Sequence, residues 1–486
     1  MRDVNRRTVL RGLGAAAVGT SLATGPASAA QSSPHGRIEL LGHSLLSDPA
    51  GGYAESEIRA DGRYAALGSY FGTGGSFLVD LSDPANPSQV HRVPSEETVW
   101  NADVKFDARD GIYYRSIEPR EQGAGGGVEV IDYGYESGSP ESPEIVARID
   151  RTSGVHNLDV HPEEPVIYLV NGTDSEGNAV GVSVYDTSDP SSPEQVAAVG
   201  PGGYNHDVTF DAERDLVHSA YIAGDQFVGW MAHDVSDPRN PEEVGRFSYA
   251  DRPDYEEVGT AGFEVCHYAR ADPNRDLVYV GDEKGQGIPG GKHVLDIGYG
   301  SGSLEDPKHL GFTHSPNAKE QVRDEALYDW TTHNHDVVQK GDSTFLVDGA
   351  YHEGFVVYDV TDPENPVPAH QYLTIDGEGE AKGPTWTGAA PMAWGANYNA
   401  EKDVVVVSDM VTGLFTFRVH DEEAPVESLP EAVDWNGDGT VQRSEVERAV
   451  SMWANGETIP NTGVAGDNDH LDWKTVRRLL RESSGN

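Results

Sequence analysis

Cysteine is almost missing from this chain. One residue, Cys266, in 486 excludes an intrachain disulfide and any zinc site built from several thiolates. Lysine is scarce as well, with nine against 26 arginines. All basic residues together number 35 against 81 acidic ones, for a formal charge of −46. Such a chain is a poor partner for a phosphate backbone or an anionic lipid surface, which argues against nucleic-acid and membrane-surface binding. Also lacking is any apolar run of about 20 residues, so no membrane span is expected. The 3.6-residue apolar period of a helical solenoid does not occur over most of the length. Disorder is excluded by what is present: 21 Tyr, 12 Phe and 8 Trp spread along the chain, with 56 Gly to turn it.

The acids are distributed over the whole sequence rather than gathered in a tail. At molar salt the Debye length falls to about 3 Å and their mutual repulsion is screened. High acid with little Lys therefore resembles salt-adapted, halophilic proteins. The amino terminus reads as an address. Asn5-Arg6-Arg7-Thr8-Val9-Leu10-Arg11 precedes a short Ala/Gly-rich stretch and the small-residue site Pro26-Ala27-Ser28-Ala29. Paired arginines with a weak apolar core resemble a twin-arginine (Tat) signal over residues 1–29, implying export of the folded chain and a secreted or cell-surface protein.

A phrase recurs through the next 390 or so residues. It reads Phe77-Leu-Val-Asp-Leu-Ser-Asp-Pro-Ala-Asn-Pro87, and it returns at 182–193, 231–241 and 356–366, with weaker copies ending at Pro140 and Pro307. A β-rich run stops, Asp caps a turn through its side chain, and Pro presets φ at the turn's second position. A second phrase, Asn-x-Asp-Val, precedes the first, at Asn101, Asn157, Asn205 and Asn334, with a variant at Cys266. Each unit holds about four strands. Four-stranded units repeating at about 40–50 residues are the pattern of a β-propeller. Six units end in the turn phrase. The seventh, Trp394 to Val419, has no fourth strand, and Arg37–His43 resembles the missing one. Closing the ring with a strand from the other terminus would remove an open sheet edge. The fold expected is mainly β, a seven-bladed β-propeller over residues 37–420. The turn phrases resemble the LVIVD repeat family of secreted or surface propellers, a likeness that implies the fold but no defined activity.

Residues 421–429 form an acidic linker, expected to keep the tail's core apart from the propeller. The segment 430–486 reads as a small α-helical module. Asp434-Trp-Asn-Gly-Asp-Gly-Thr-Val-Gln-Arg-Ser-Glu445 fits the twelve-residue EF-hand loop. Asp434, Asn436 and Asp438 stand at positions 1, 3 and 5, Gly439 permits the bend, Thr440 offers its carbonyl, Gln442 acts through water, and Glu445 supplies two oxygens. The segment 464–475 aligns as a partner hand but places Val464, Gly466 and Thr475 where charged oxygens are needed. One Ca2+ is therefore expected. Paired loops with a short entering helix resemble dockerin modules, which implies a cohesin-like partner.

Aligning units on Asn-x-Asp-Val places His206, His267 and His335 in one column, with His156 and His333 two positions earlier on the same side of neighbouring units. The first strand of a blade borders the channel, so these imidazoles are candidates for a transition metal such as Zn, Cu, Fe or Ni. The competing reading is structural: the repeated Asp103, Asp159, Asp207 and Asp336 could bond neighbouring blades. There is no G-x-S-x-G elbow, P-loop or HExxH. Two functions follow. The first is a non-enzymatic, calcium-binding scaffold or binding protein for an unidentified protein or saccharide. The second is a metalloenzyme, oxidoreductase or hydrolase, using the channel histidines.

Overall fold

The turn phrase behaves alike in its four full copies. Asp80 Oδ1 accepts the Ser82 N–H at 2.7 Å, and Asp83 Oδ1 accepts that of Ala85 at 3.1 Å while its carbonyl receives Asn86 N–H. The same pairs recur as Asp186–Ser188 and Asp189–Ser191, Asp234–Ser236 and Asp237–Arg239, and Asp359–Thr361 and Asp362–Glu364. Each turn joins the third strand of a unit to its fourth. In the computed structural model, which describes residues 36–47, 52–70, 74–121, 123–251, 263, 265–283, 290–315, 331–377, 390–424, 433–434, 441, 445–446 and 448–450, these units form seven antiparallel sheets.

Blade 1 runs Tyr53–Ile58, Tyr64–Ser69, Ser76–Asp80, Ser88–Val93. The innermost strands of blades 3 to 7 are Leu158–Val160, Tyr204–Asp211, Cys266–Ala271, His335–Lys340 and Ala393–Asn399. In blade 2 the inner strand is broken into Val99–Trp100 and Val104–Phe106. Blade 7 is closed by the amino-terminal strand Gly36–Ser44, which pairs antiparallel with Gly413–Ala424, as the sequence suggests. That last strand runs through Asp421, into the stretch read as linker. Cores of Val, Ile, Leu and aromatic side chains fill the space between adjacent blades; one gathers Ile38, Phe345, Phe355, Phe415 and Phe417 from blades 6 and 7.

The Asn-x-Asp-Val phrase sews the blades together. Asp103, Asp159 and Asp336 each accept their own following N–H at 2.8 Å with Oδ1. Their Oδ2 atoms accept N–H groups of the next blade, from Leu158 at 2.8 Å, Phe210 at 2.7 Å and Tyr398 at 2.9 Å. The bland reading of these aspartates is thus correct for three of the four. Asp159→Ala should leave the Phe210 N–H buried without an acceptor and lower stability by about 1–3 kcal/mol, measured by denaturant unfolding. An unchanged midpoint would mean the stitch carries no weight.

Residues 1–35 lie outside the described residues, and with them the export signal. So do Asn436, Asp438, Thr440 and Gln442 of the calcium loop and the segment 451–486. Glu445, Val446 and 448–450 are helical, and Asp434 and Glu445 are buried. Their charges act on the propeller. Burial first, then Asp376, Glu445 and Asp434, hold the Tyr372 phenol of blade 6 well above its ordinary value. Asp434 and Glu445 thus lie close enough to blade 6 for their charges to reach Tyr372.

Candidate metal centre

Innermost strands begin at one mouth of the channel, and in six of the seven blades the residues at that start place one ring there. Two local geometries do this. In blades 4, 5 and 7 the register against the second strand slips by one residue, between Asn205 and Asp207, Cys266 and Tyr268, and Ala393 and Gly395. The extra residue of each bulge is His206, His267 and Trp394. A bulge re-aims the side chain it carries, and here it turns the x of Asn-x-Asp-Val into the channel. In blades 3 and 6 the pairing is regular, Leu158 opposite Leu169 and His335 opposite Asp348. There the residue before Asn faces the channel instead, which is His156 or His333. Blade 2 follows the same rule with Trp100, and Tyr70, just past the second strand of blade 1, fills the remaining sector.

The result is a ring of aromatic side chains. Centroids of His156 and His206 are 4.6 Å apart, His206 and His267 3.9 Å, His267 and His333 4.4 Å, and His333 and Trp394 4.7 Å. Tyr70 completes it, 5.0 Å from Trp394, 5.9 Å from His156, and stacked on Trp100 at 4.6 Å. They border a cavity of about 480 Å3.

His335 is not part of the ring. Its regular pairing sends it to another face of the strand, where Nδ1 accepts from the Lys292 ammonium at 2.9 Å and the imidazole meets Tyr268 edge-on. The structure brings His206 and His267 of the alignment column together and leaves His335 apart, because blade 6 lacks the bulge of blades 4 and 5. His156 and His333, two positions before the column, take part in the ring.

Hydrogen bonds fix which nitrogen each imidazole presents. His206 Nδ1 contacts the His267 carbonyl at 3.1 Å, and His333 Nδ1 contacts the Trp394 carbonyl. A carbonyl can only accept, so both Nδ1 atoms carry the proton and both Nε2 atoms keep a free lone pair. His156 Nδ1 bonds Glu118 Oε2 at 2.7 Å. Such outer partners are what orient metal-binding histidines. His267 Nε2 lies 3.5 Å from Glu283 Oε2, and its buried Nδ1 has no partner among the described residues. Glu283 in turn accepts from the Tyr351 hydroxyl at 2.8 Å. Ligand atoms of His267, Glu283 and His333 all fall within 4.8 Å of one another.

Protonation favours ligation. Burial, then the nearby His156 and His333, hold His206 well below its ordinary value; burial and the neighbouring imidazoles do the same to His267. His333 is pushed down to about 3, chiefly by burial. These three are neutral at physiological pH, the state a metal requires. Burial also lowers His156, but the Glu118 carboxylate outweighs it and raises the net value. Glu283 is raised to about 7, by burial first.

Sequence reading missed Glu283, Glu118, Tyr70 and Tyr351. Each lies at or just past the end of a second strand, which finishes at the mouth where the first strand begins. That position, counted from the turn after each first strand, is the signal that would have found them. No protein-family model matches the chain, and no curated protein matches it in sequence.

Proposed function

We propose that this protein is a metal-dependent oxidoreductase whose transition-metal ion is held by His267, His333 and Glu283, with His206 and His156 beside it. The observation carrying this is the convergence of two neutral imidazoles and one carboxylate on a single point at the channel mouth. Two histidines and a carboxylate with open positions is the donor set of mononuclear iron sites that handle oxygen, and imidazole suits copper and zinc as well. The aromatic cavity above gives a small molecule access to the open positions and little water to compete. An enzyme is favoured over a bare scaffold because a closed structural site would use all its ligands on the ion. The test is nitric oxide added to the Fe(II)-loaded chain. Electron paramagnetic resonance should show an iron–nitrosyl signal that disappears in His333→Ala. Iron without that signal would mean a closed site and a structural ion.

The sequence supports the remaining parts of the proposal. Twin arginines at Arg6 and Arg7 imply export to the cell surface or beyond, and the turn phrases resemble LVIVD repeats. The loop from Asp434 to Glu445 is proposed to bind one calcium ion, with a cohesin-like protein as the tail's partner. Glu445→Gln should weaken calcium at least tenfold in a titration of the full chain, because an amide offers one oxygen where a bidentate carboxylate offers two. Unchanged affinity would remove the loop from the account.

A further inference from the structure

Blade 6 aims its ring histidine without a bulge, and a buried ion pair stands where the bulge would act. His333 precedes the first strand pair of its blade, in which His335 faces Asp348. Among the described residues no backbone group pairs with the His333 N–H or C=O. The residue is buried, and buried main-chain groups need partners. Side chains supply both. Asp348 Oδ1 accepts the His333 N–H at 3.3 Å, and Lys292 Nζ donates to the His333 carbonyl at 2.9 Å.

Lys292 and Asp348 are paired with each other, Nζ to Oδ1 at 3.0 Å, and both are fully buried. Lys292 comes from the third strand of blade 5, Gly291–Asp296, and Asp348 from the second strand of blade 6, Ser343–Gly349. The pair therefore crosses from one blade to the next. Its remaining bonds return to the same segment. Asp348 Oδ2 accepts the Thr332 hydroxyl at 2.5 Å, and Lys292 Nζ donates to His335 Nδ1 at 2.9 Å. A carbonyl, an imidazole nitrogen and a carboxylate take up the three protons of an ammonium, so Lys292 has none to spare.

A fully buried ion pair is a weak source of stability, because lost hydration offsets its attraction. What this one supplies is direction. With both main-chain groups held, His333 can turn only about its own side-chain bonds, and the Nδ1 bond to the Trp394 carbonyl fixes those. Nε2 is left as the nitrogen free to ligate. His206 and His267 take their aim from bulges, and His156 takes its own from Glu118.

We propose that Lys292 and Asp348 are positioning residues of the metal centre, a clamp across the interface of blades 5 and 6 that presents His333 to the ion. This rests on the metal site proposed above, although the clamp acts on His333 in the metal-free chain as well.

The test compares Fe(II) titrations of the unaltered full chain and two variants. Lys292→Met combined with Asp348→Asn removes both charges, keeps the shapes and keeps an oxygen facing the His333 N–H, so that chain should fold. It should bind Fe(II) roughly 10–100-fold more weakly, the usual cost of losing an outer partner. His335→Ala opens the same buried network but leaves both bonds to the His333 main chain. It should lower the melting temperature and leave Fe(II) affinity unchanged. A second readout needs no metal. In metal-free protein with isotope-labelled histidine rings, nuclear magnetic resonance should show the Nδ1 proton of His333 exchanging with water at least tenfold faster in the double variant. Failure of the unaltered chain to bind Fe(II) would remove the metal site, and the exchange rate would still decide the clamp. Unaltered Fe(II) affinity in the double variant, or an unchanged exchange rate, would overturn the clamp. So would an equal loss of affinity in His335→Ala, which would make the effect one of stability alone.

Discussion

His267→Ala is expected to strip the transition metal from the purified protein, weakening its binding roughly 100-fold or more, since loss of an outer partner alone typically costs 10–100-fold. His333→Ala should act alike. His335→Ala should leave the metal in place, although it removes one of the three acceptors of the buried Lys292 ammonium and so lowers stability. That contrast separates the ring from the simple alignment column, in which His335 ranks with His206 and His267. The pH dependence has a definite sign. His206, His267 and His333 are already neutral, held below their ordinary values, so they do not compete with protons for the ion near neutrality. Glu283, raised to about 7, must lose its proton to ligate. Affinity should therefore fall as pH drops below about 7, by roughly tenfold per unit, with close to one proton released for each metal bound. Calorimetry in buffers of different ionisation enthalpy counts those protons. Release of two or more at pH 6 would mean the histidines are not held neutral.

The second large effect concerns ring closure. Gly36–Ser44 is the outer strand of blade 7 and the only amino-terminal piece of that sheet among the described residues. Its partners run from Ala424 back to Leu414. Ile38 is 2 % exposed and packs into the core containing Phe415, Phe417 and Val419. Ile38→Ala is expected to cost about 2–4 kcal/mol through lost burial and the cavity left behind. A chain beginning at residue 45 would expose the long strand Gly413–Ala424 as an open edge. It should lose the cooperative thermal transition and aggregate. A truncated chain that melts like the full one would show that blade 7 holds without its closing strand.

Sequence carried the architecture because the propeller's punctuation is local. Asp and Pro in Ser-Asp-Pro-x-Asn-Pro set the turn with contacts two and three residues away, so six turns could be read directly and the seventh blade inferred from what it lacked. The Asp of Asn-x-Asp-Val was legible as a stitch for the same reason: one carboxylate oxygen serves its own neighbour. The site was harder. Whether His206 or His333 faces the channel depends on one bulge, and a bulge is a relation between two strands rather than a pattern within one. Asn205-His206-Asp207-Val208 and Asn334-His335-Asp336-Val337 are the same string, yet only the first bulges. Glu283 and Glu118 come from different strands again, and no spacing within the repeat joins them to the histidines.

The most direct measurement is X-ray absorption at the metal edge of the full-length protein, purified without added metal and checked for metal content. The account requires about one transition-metal ion per chain, bound by nitrogen and oxygen at about 2.0–2.2 Å, with the outer-shell scattering of at least two imidazoles. His267→Ala must lose that scattering. Calcium as the sole stoichiometric metal, or a transition metal whose spectrum contains no imidazole, would contradict it.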